Sequence, residues 1–367
     1  MESDYEIKSA PRLLYLPNEL EDREQFGPRS VFENMLSSGE LSAYQAYSFL
    51  IEQKQRGSTE GALDGLLKIS EQFQPDIILW QHPGNFPIPL GFGTRLKNIA
   101  SHPVLVYDER DVYGGNRKPF TPSMRTLSIE ADILFLVGLG RYADLFRHAG
   151  ATRIFYSPHC IDTLRFGHPW DPLTKRQFDV VMIGNIFRPT RMKPGLPGWK
   201  NRLQLAERLS ELMGDRFALY GRGWDGLSSA RGKLEFLKQE EALRESWLSV
   251  GWDYYDQTPF YFSNRLPIAL MSGVAHVTNY QPGYEIMFQN GKELCYAHSV
   301  EEMIEMVHYL LSLPRSRLIE VGLNGQKFAK DNLATENVFR NIIRISATYC
   351  RRSLAKNTPL SDDTISS

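Results

Sequence analysis

One unit recurs along this chain and limits what it can become: a short apolar run that ends abruptly in glycine or charge. PDIILWQHPG at Pro75–Gly84, PVLVYDERDVYGG at Pro103–Gly115 and ADILFLVG at Ala131–Gly138 all have this form. RLLYLP, from Arg12 to Pro17, opens the series, and ATRIFYSPHCID, from Ala151 to Asp162, closes it. Apolar runs of about four to eight residues bounded by turn signals read as buried strands. A helical stretch with Leu63, Leu66, Leu67 and Ile69 separates two of them, which is the alternation of a βαβ unit.

The pattern then restarts. FDVVMIGNI, from Phe178 to Ile186, reads as strand and turn, Arg202 to Met213 as a helix, and DRFALYGRGW, from Asp215 to Trp224, as a second strand opening into a loop. Further on, Ile268–Met271 and Val300–Leu313 read as helices, AHVTNY at Ala275–Tyr280 as a strand, and Glu336–Tyr349 as a last helix that crosses back to the first domain. The expected fold class is α/β, with two Rossmann-like domains facing a central cleft. The expected division is residues 11–170, residues 171–345 and a terminal helix end with a flexible tail at 346–367, with a hinge at His168–Pro172. Residues 31–55 read as helices around the cleft mouth, and polar tails are expected through Ala10 and over KNTPLSDDTISS.

Composition excludes several classes. The 42 Lys and Arg against 43 Asp and Glu leave a net charge of −1, so a general nucleic-acid binder is not expected and a polynucleotide is not a predicted partner. Cys160, Cys295 and Cys350 are scattered, with neither CxxC pairing nor the density of a disulfide scaffold. That favours a reducing compartment and predicts no metal site. The start, MESDYEIKSAPRLLYL, lacks the plan of a signal peptide, and no run approaches about 18 apolar residues. A soluble cytoplasmic chain is therefore expected, with peripheral contact at the inner face of a membrane left open.

FDVVMIGNI, ALYGRGW, FSNRLPIALMSG and TNYQPGYEIMFQNGKEL together resemble the C-terminal half of nucleotide-sugar glycosyltransferases of GT-B architecture. The group 1 family, and within it the CgeB-like branch associated with spore maturation proteins, is the nearest resemblance, over about residues 178–345. The resemblance implies an acceptor-side first domain, a donor-side second domain and a nucleoside diphosphate sugar as donor substrate. It further implies transfer to a hydroxyl with retention of anomeric configuration and no tightly bound cofactor. The acceptor class stays open among a glycan, a protein, a small metabolite and a lipid-linked glycan. The chain departs from the family at one place. Two glutamates separated by seven residues are common there, the second binding the nucleotide ribose, and they project onto Phe260 and Ile268. A second reading follows: a noncatalytic GT-B-shaped nucleotide or carbohydrate-binding protein.

Several segments carry chemistry. In SNRLPIALMSG, Ser263 and Asn264 open a helix whose N–H groups, with Arg265, suit an anionic diphosphate; the plainer reading has Asn264 as a cap and Arg265 in an ion pair. From Gly184 to Arg202 there are five cations, Arg188, Arg191, Lys193, Lys200 and Arg202, and no acid. Arg188 and Lys200 are the expected phosphate contacts, against a basic solvated loop. The resemblance places ALYGRGW beside the nucleotide, with Gly221 and Gly223 for a tight turn, Arg222 for phosphate, and Trp224 over a base or in the core. It likewise sets Gly283 and Glu285 near the donor sugar, with a local cap as the alternative for Glu285. Tyr254 and Tyr255 either shape the pocket or pack. In the first domain, His82 and the acids of YDERD, Asp108 foremost, stand at strand ends suited to orienting or deprotonating an acceptor. His159 in SPHCID reads as interdomain structure. Arg265, Glu285, Asp108 and His82 are the catalytic candidates.

Overall fold

The computed structural model describes residues 10–115 and 117–356, so the two expected tails lie outside it apart from Ala10 and Lys356. The first domain runs β1 (Arg12–Leu16), α1 (Phe26–Ser37), β2 (Ala43–Ala46), α2 (Phe49–Arg56), α3 (Thr59–Phe73), β3 (Ile77–Gln81), α4 (Phe92–Lys97), β4 (Val104–Glu109), α5 (Pro122–Glu130), β5 (Ile133–Leu136), α6 (Arg141–Ala149) and β6 (Ile154–Tyr156). Its six strands lie in the order β2-β1-β3-β4-β5-β6, and every pairing is parallel. In β3, β4 and β5 every residue is buried, because helices cover both faces. That is why these strands are written as unbroken apolar runs.

The second domain follows: β7 (Phe178–Ile183), α7 (Trp199–Met213), β8 (Phe217–Tyr220), β9 (Ala230–Gly232), α8 (Gln239–Arg244), β10 (Ser246–Gly251), α9 (Arg265–Met271), β11 (Ala275–Asn279), α10 (Tyr284–Met287), β12 (Cys295–Ala297), α11 (Val300–Ser312) and α12 (Arg315–Asn332). Its strands lie in the order β12-β11-β10-β7-β8-β9, again all parallel. The last helix, α13 (Thr335–Lys356), packs on the first sheet: Val338, Phe339, Ile342 and Ile343 share a core with Leu13, Tyr15, Phe32 and Ile77. The outgoing and returning chains meet between the domains, where Ile161 N donates to Leu333 O at 2.8 Å and Thr335 N to Ile161 O at 2.9 Å.

Elements the sequence reading did not name include strands β9 and β12, helix α8 and three more. Residues 31–55 contain strand β2 between two helices, and its half-buried AYQA at the sheet edge has no apolar run to reveal it. SWLSVG forms β10, which lies between β7 and β11, and RSRLIEVGLNGQKFAKDN forms the long helix α12. Among the described residues no helix is long and apolar enough to cross a membrane.

Candidate active site

In an open parallel sheet the crevice forms beyond the carboxyl ends of the two strands where the strand order reverses. In the first sheet these are β1 and β3, and in the second they are β7 and β10. A cavity of about 260 Å³ joins the domains at the first of these, lined by Asn18, Gln81, His82 and Arg110 on one side and Asn264 and Ile268 on the other. The crossing segment adds His159, Cys160 and Arg165. Burial, reinforced by Arg110, pushes the His159 imidazole down to about 4, and its ring stands against Tyr261 of the second domain.

On the first-domain side the chain turns sharply after β3, with His82 at φ 36°. Its Nδ1 meets the Glu109 carboxylate, and its Nε2 lies 3.8 Å from Asp111 Oδ2. Glu109 also accepts the Tyr107 hydroxyl at 2.5 Å and the Asp111 amide at 2.9 Å. Burial alone would lower the His82 pKa, but Glu109 and Asp111 outweigh it and the net direction is up. Asp108, expected beside His82, instead faces Arg110, whose Nε donates to it at 2.7 Å. Successive strand residues point to opposite faces, so the neighbour Glu109 takes the position expected of Asp108. Asp108 is fully buried, and burial raises its pKa despite Arg110.

On the second-domain side, Asp253 follows β10 and organises the loop before α9. Its Oδ2 accepts the Ser263 amide at 3.0 Å, its Oδ1 faces Arg265 Nη2 at 3.4 Å, and its own amide donates to Asn279 Oδ1 at 2.7 Å. Burial would raise its carboxyl, but Arg265 and the Ser263 bonds hold it below the usual Asp range. Arg265 keeps a third of its side chain exposed beside Gly184, where an added Cβ would lie 3.8 Å from Arg265 Nε. Asn264 stands before α9 without a side-chain cap bond and is exposed. Arg202 is buried beneath them, donating to Trp252 O at 2.6 Å and Asn185 O at 3.0 Å, with its guanidinium 3.5 Å from the Tyr254 ring centre. Burial, together with Arg265, pulls Arg202 down to about 10.

The glycine turn after β8 locks onto this loop. Gly221 lies so close to Gly184 that a Cβ would stand 2.1 Å from its carbonyl oxygen, and Gly223 presses equally on Ile186 O at 2.6 Å. Arg222 is held by its amide on Asn185 Oδ1 at 2.8 Å, leaving the side chain exposed. Trp224 is 2% exposed in the second-sheet core and donates to Gly184 O at 2.6 Å, so it seals the core and does not line the cleft. Arg188 and Lys200 are exposed and make no ion pair or side-chain hydrogen bond among the described residues. From the first domain Arg117 reaches the same loop, donating to Pro194 O at 3.0 Å and lying over the Phe187 ring.

Glu285 is exposed and bonded locally, accepting Tyr280 Oη at 2.8 Å and Gly283 N at 3.2 Å, and backbone bonding and Tyr280 hold its carboxyl low. Gly283, at φ 97°, makes room for the Phe260 ring, 2.7 Å from where a Cβ would stand. Tyr254 is buried and donates to Asn185 O at 2.7 Å, which makes it a packing residue. Asp253 is the group the sequence reading did not single out, and Glu109 stood there only among the acids of YDERD, behind Asp108. Among the described residues no trio of His, Cys, Asp or Glu is placed to hold a metal ion.

A family model described as glycosyl transferase-like matches residues 201–344. No curated protein matches the chain. Among solved structures, HepE from Anabaena in complex with UDP is similar at TM-score 0.60 and 12% identity, over 92% of this chain and all of that one. Sucrose-phosphate synthase from Thermosynechococcus elongatus is similar at TM-score 0.61 and 9% identity, over 94% of this chain and all of that one. A glycosyltransferase from Rickettsia africae reaches TM-score 0.55 at 11% identity, over 94% and 98% of the two chains. These likenesses are likenesses of fold: this chain has the GT-B arrangement of two facing parallel-sheet domains.

Proposed function

We propose that the protein is a glycosyltransferase that moves a sugar from a nucleoside diphosphate sugar to an acceptor hydroxyl held in the interdomain cleft. One observation carries this reading: the interdomain cavity is lined by His82 at the first strand-order reversal and by Asn264 and Ile268 of the second domain, and Arg265, next to Asn264 in the chain, lines a separate small pocket at the second reversal. The donor class is supported by HepE, solved with UDP and with UDP-glucose. Arg265 stands on a preorganised loop and meets the charge that builds on the departing diphosphate, helped from the loop above by Arg188 and Lys200. Ser263, Asn264, Gly184 and the Gly221–Gly223 turn shape the donor side, while His82 orients the acceptor. Glu285 and Asp108, bonded as they are, take no part in the reacting centre.

Finer points of the reading are the CgeB-like kinship and retention of configuration, which rest on sequence resemblance, the division near residue 170, which rests on the Pro-rich hinge, and work in the cytoplasm, including at a membrane's inner face, which rests on the scattered cysteines. The acceptor is a glycan, a protein, a small metabolite or a lipid-linked glycan, and the donor is substrate, with no resident cofactor. A second reading, binding without transfer, is favoured by one observation. Ile268 is 2% exposed among Phe166, Leu266 and Leu270, so an apolar side chain stands where the family has a carboxylate.

A mixed panel of nucleotide sugars, with and without pooled acceptor extract and followed by mass spectrometry, tests the proposal. Nucleotide release with a new glycosylated mass supports transfer. Saturable binding with no turnover, beside a working control transferase, supports the binding protein.

A further inference from the structure

We infer that the groove between α2 and α3 is a second acceptor subsite, holding the distal sugars of a glycan whose end reaches the cleft. This rests on the transferase reading above and narrows its acceptor to a carbohydrate chain. The groove has a volume of about 850 Å³ and is separate from the interdomain cavity. Its lining follows the helical period. Ile51, Glu52 and Gln55 of α2 border it with Lys68, Ile69 and Gln72 of α3, and spacings of three and four residues set each group on one side of its helix. Between them Gly65 has no side chain to fill the space: a Cβ there would stand 2.5 Å from the Tyr47 hydroxyl oxygen and 3.0 Å from the Arg56 guanidinium carbon. Tyr47 is buried and donates to Ala62 O at 2.6 Å, which fixes the floor.

Charge and hydrogen bonding decide what fits. Three acids, Asp22, Glu52 and Asp64, balance three cations, Arg29, Arg56 and Lys68. Arg56 holds Glu52 at 2.6 Å and Arg29 is tied to the buried Glu19, so neither is left free for an anion. Asp64 and Lys68 stand one turn apart on α3, where opposite charges can pair, yet they make no ion pair. Together with Asp22, Gln55 and Gln72 they are exposed and have no side-chain hydrogen bond among the described residues. A phosphate backbone requires surplus cations, and a lipid chain an apolar lining. Carboxylates that only accept, an ammonium that only donates and two amides that do both match uncharged sugar hydroxyls, each of which donates and accepts. Ile51 and Ile69, half-buried in the same lining, give the C–H faces of the rings an apolar strip.

One stretch of chain separates the groove from the cleft. Asn18, Gln25 and Pro28 line the interdomain cavity, and Asp22 and Arg29 of the same stretch line the groove. Pro28 and Arg29 are consecutive, with Cα atoms about 3.8 Å apart, so the walls of the two spaces stand one residue from each other. Glu19 ties this stretch together: it is fully buried and accepts the Gln25 amide at 3.3 Å, Arg29 Nε at 3.3 Å and the Ser48 hydroxyl. A glycan with its end beside His82 follows this wall into the groove.

Two measurements on the full chain decide it. Without nucleotide, the wild type should be retained on an array of immobilised uncharged glycans, more strongly as the glycan lengthens. Asp64→Ala with Lys68→Ala and Gln72→Ala, at three exposed helix positions, should weaken retention of the longer glycans about tenfold or more. Glu71→Ala, exposed on the same helix and outside the lining, should not. Binding to no glycan, or equal binding by the triple variant, overturns the inference. With the donor and acceptor found by the panel, the triple variant should raise KM for a multi-sugar acceptor by a similar factor, with donor KM and the KM of a single-sugar acceptor little changed. An equal rise for both acceptors, or an acceptor that carries no sugar, overturns it. Equal retention of a glycan free and on a lipid carrier supports the groove as the recognition element, and a requirement for the lipid overturns it. Failure of the wild type to turn over any donor would overturn the transferase reading instead, and the array then decides the groove alone. Circular dichroism and the unfolding midpoint establish that the triple variant is folded.

Discussion

The hydroxyl of Tyr156, at the end of the first sheet's edge strand, donates to the carbonyl of Phe260 at 2.8 Å. That bond joins the first domain to the loop that carries Ser263 and Arg265, and a second follows where Leu139 N donates to Pro259 O at 2.9 Å. Tyr261 from the same loop is buried in the first-sheet core. The donor-side loop is thus anchored in the opposite domain. Tyr156→Phe removes the bond and little packing, so it should cost about 0.5–1.5 kcal/mol in urea unfolding. An unchanged midpoint would mean that the tyrosine is not a strut between the domains.

Gly221 and Gly214 offer a paired test of the turn against the loop. Both have positive φ, 138° and 53°, but a Cβ on Gly221 would meet the backbone of Gly184 whereas one on Gly214 meets nothing within 4 Å. Gly214→Ala should therefore cost only the conformational penalty of that backbone, on the order of 1–3 kcal/mol. Gly221→Ala adds a clash with a backbone oxygen that no rotamer relieves, and should cost about 3 kcal/mol or more. Chemical unfolding of both variants checks the order, and equal losses would mean that the Gly184 turn yields freely.

Much of this fold is legible in the sequence because parallel strands covered on both faces must be apolar throughout. VLVYDE and FDVVMI announce themselves in this way. SWLSVG is equally buried but hides behind two serines, which satisfy their hydroxyls locally: Ser246 on Leu243 O at 2.9 Å, Ser249 on His276 Nδ1 at 2.8 Å. The site is legible to the level of a strand end and no finer. His82 could be found because it follows an apolar run, yet choosing Glu109 over Asp108 requires knowing which face of β4 each side chain takes. Trp224 and Glu285 show the same limit, since a buried indole bond and a local tyrosine bond leave no trace in a motif.

The basic loop makes a separate, solvent-borne prediction. Arg188 and Lys200 are exposed and unpaired among the described residues, so reversing them should leave the fold intact. If they meet the donor diphosphate, Arg188→Glu with Lys200→Glu should raise donor KM about tenfold or more, and the wild-type KM should rise with salt as screening shortens. A double variant with wild-type KM at low salt would make the segment an ordinary solvated surface.

Acid should weaken the fold through histidines it keeps neutral. His276 is 6% exposed on β11 beside β10, bonded to Ser249, and burial pushes it down to about 4, with Asp253 opposing only in part. His159 is pushed to about 4 by burial and Arg110. In the unfolded chain both titrate near 6.5, so as pH falls below that value the unfolded state binds protons the folded state refuses. Stability is then complete above about pH 6.5 and declines toward pH 4, by on the order of 3 kcal/mol for a buried histidine. His276→Gln cannot take that proton and should flatten the slope between those limits, leaving the part due to His159. The check is the urea-unfolding free energy at pH 7 and pH 4.5 for both chains: the wild type should lose more than the variant, and parallel losses would mean that His276 is protonated in the folded state.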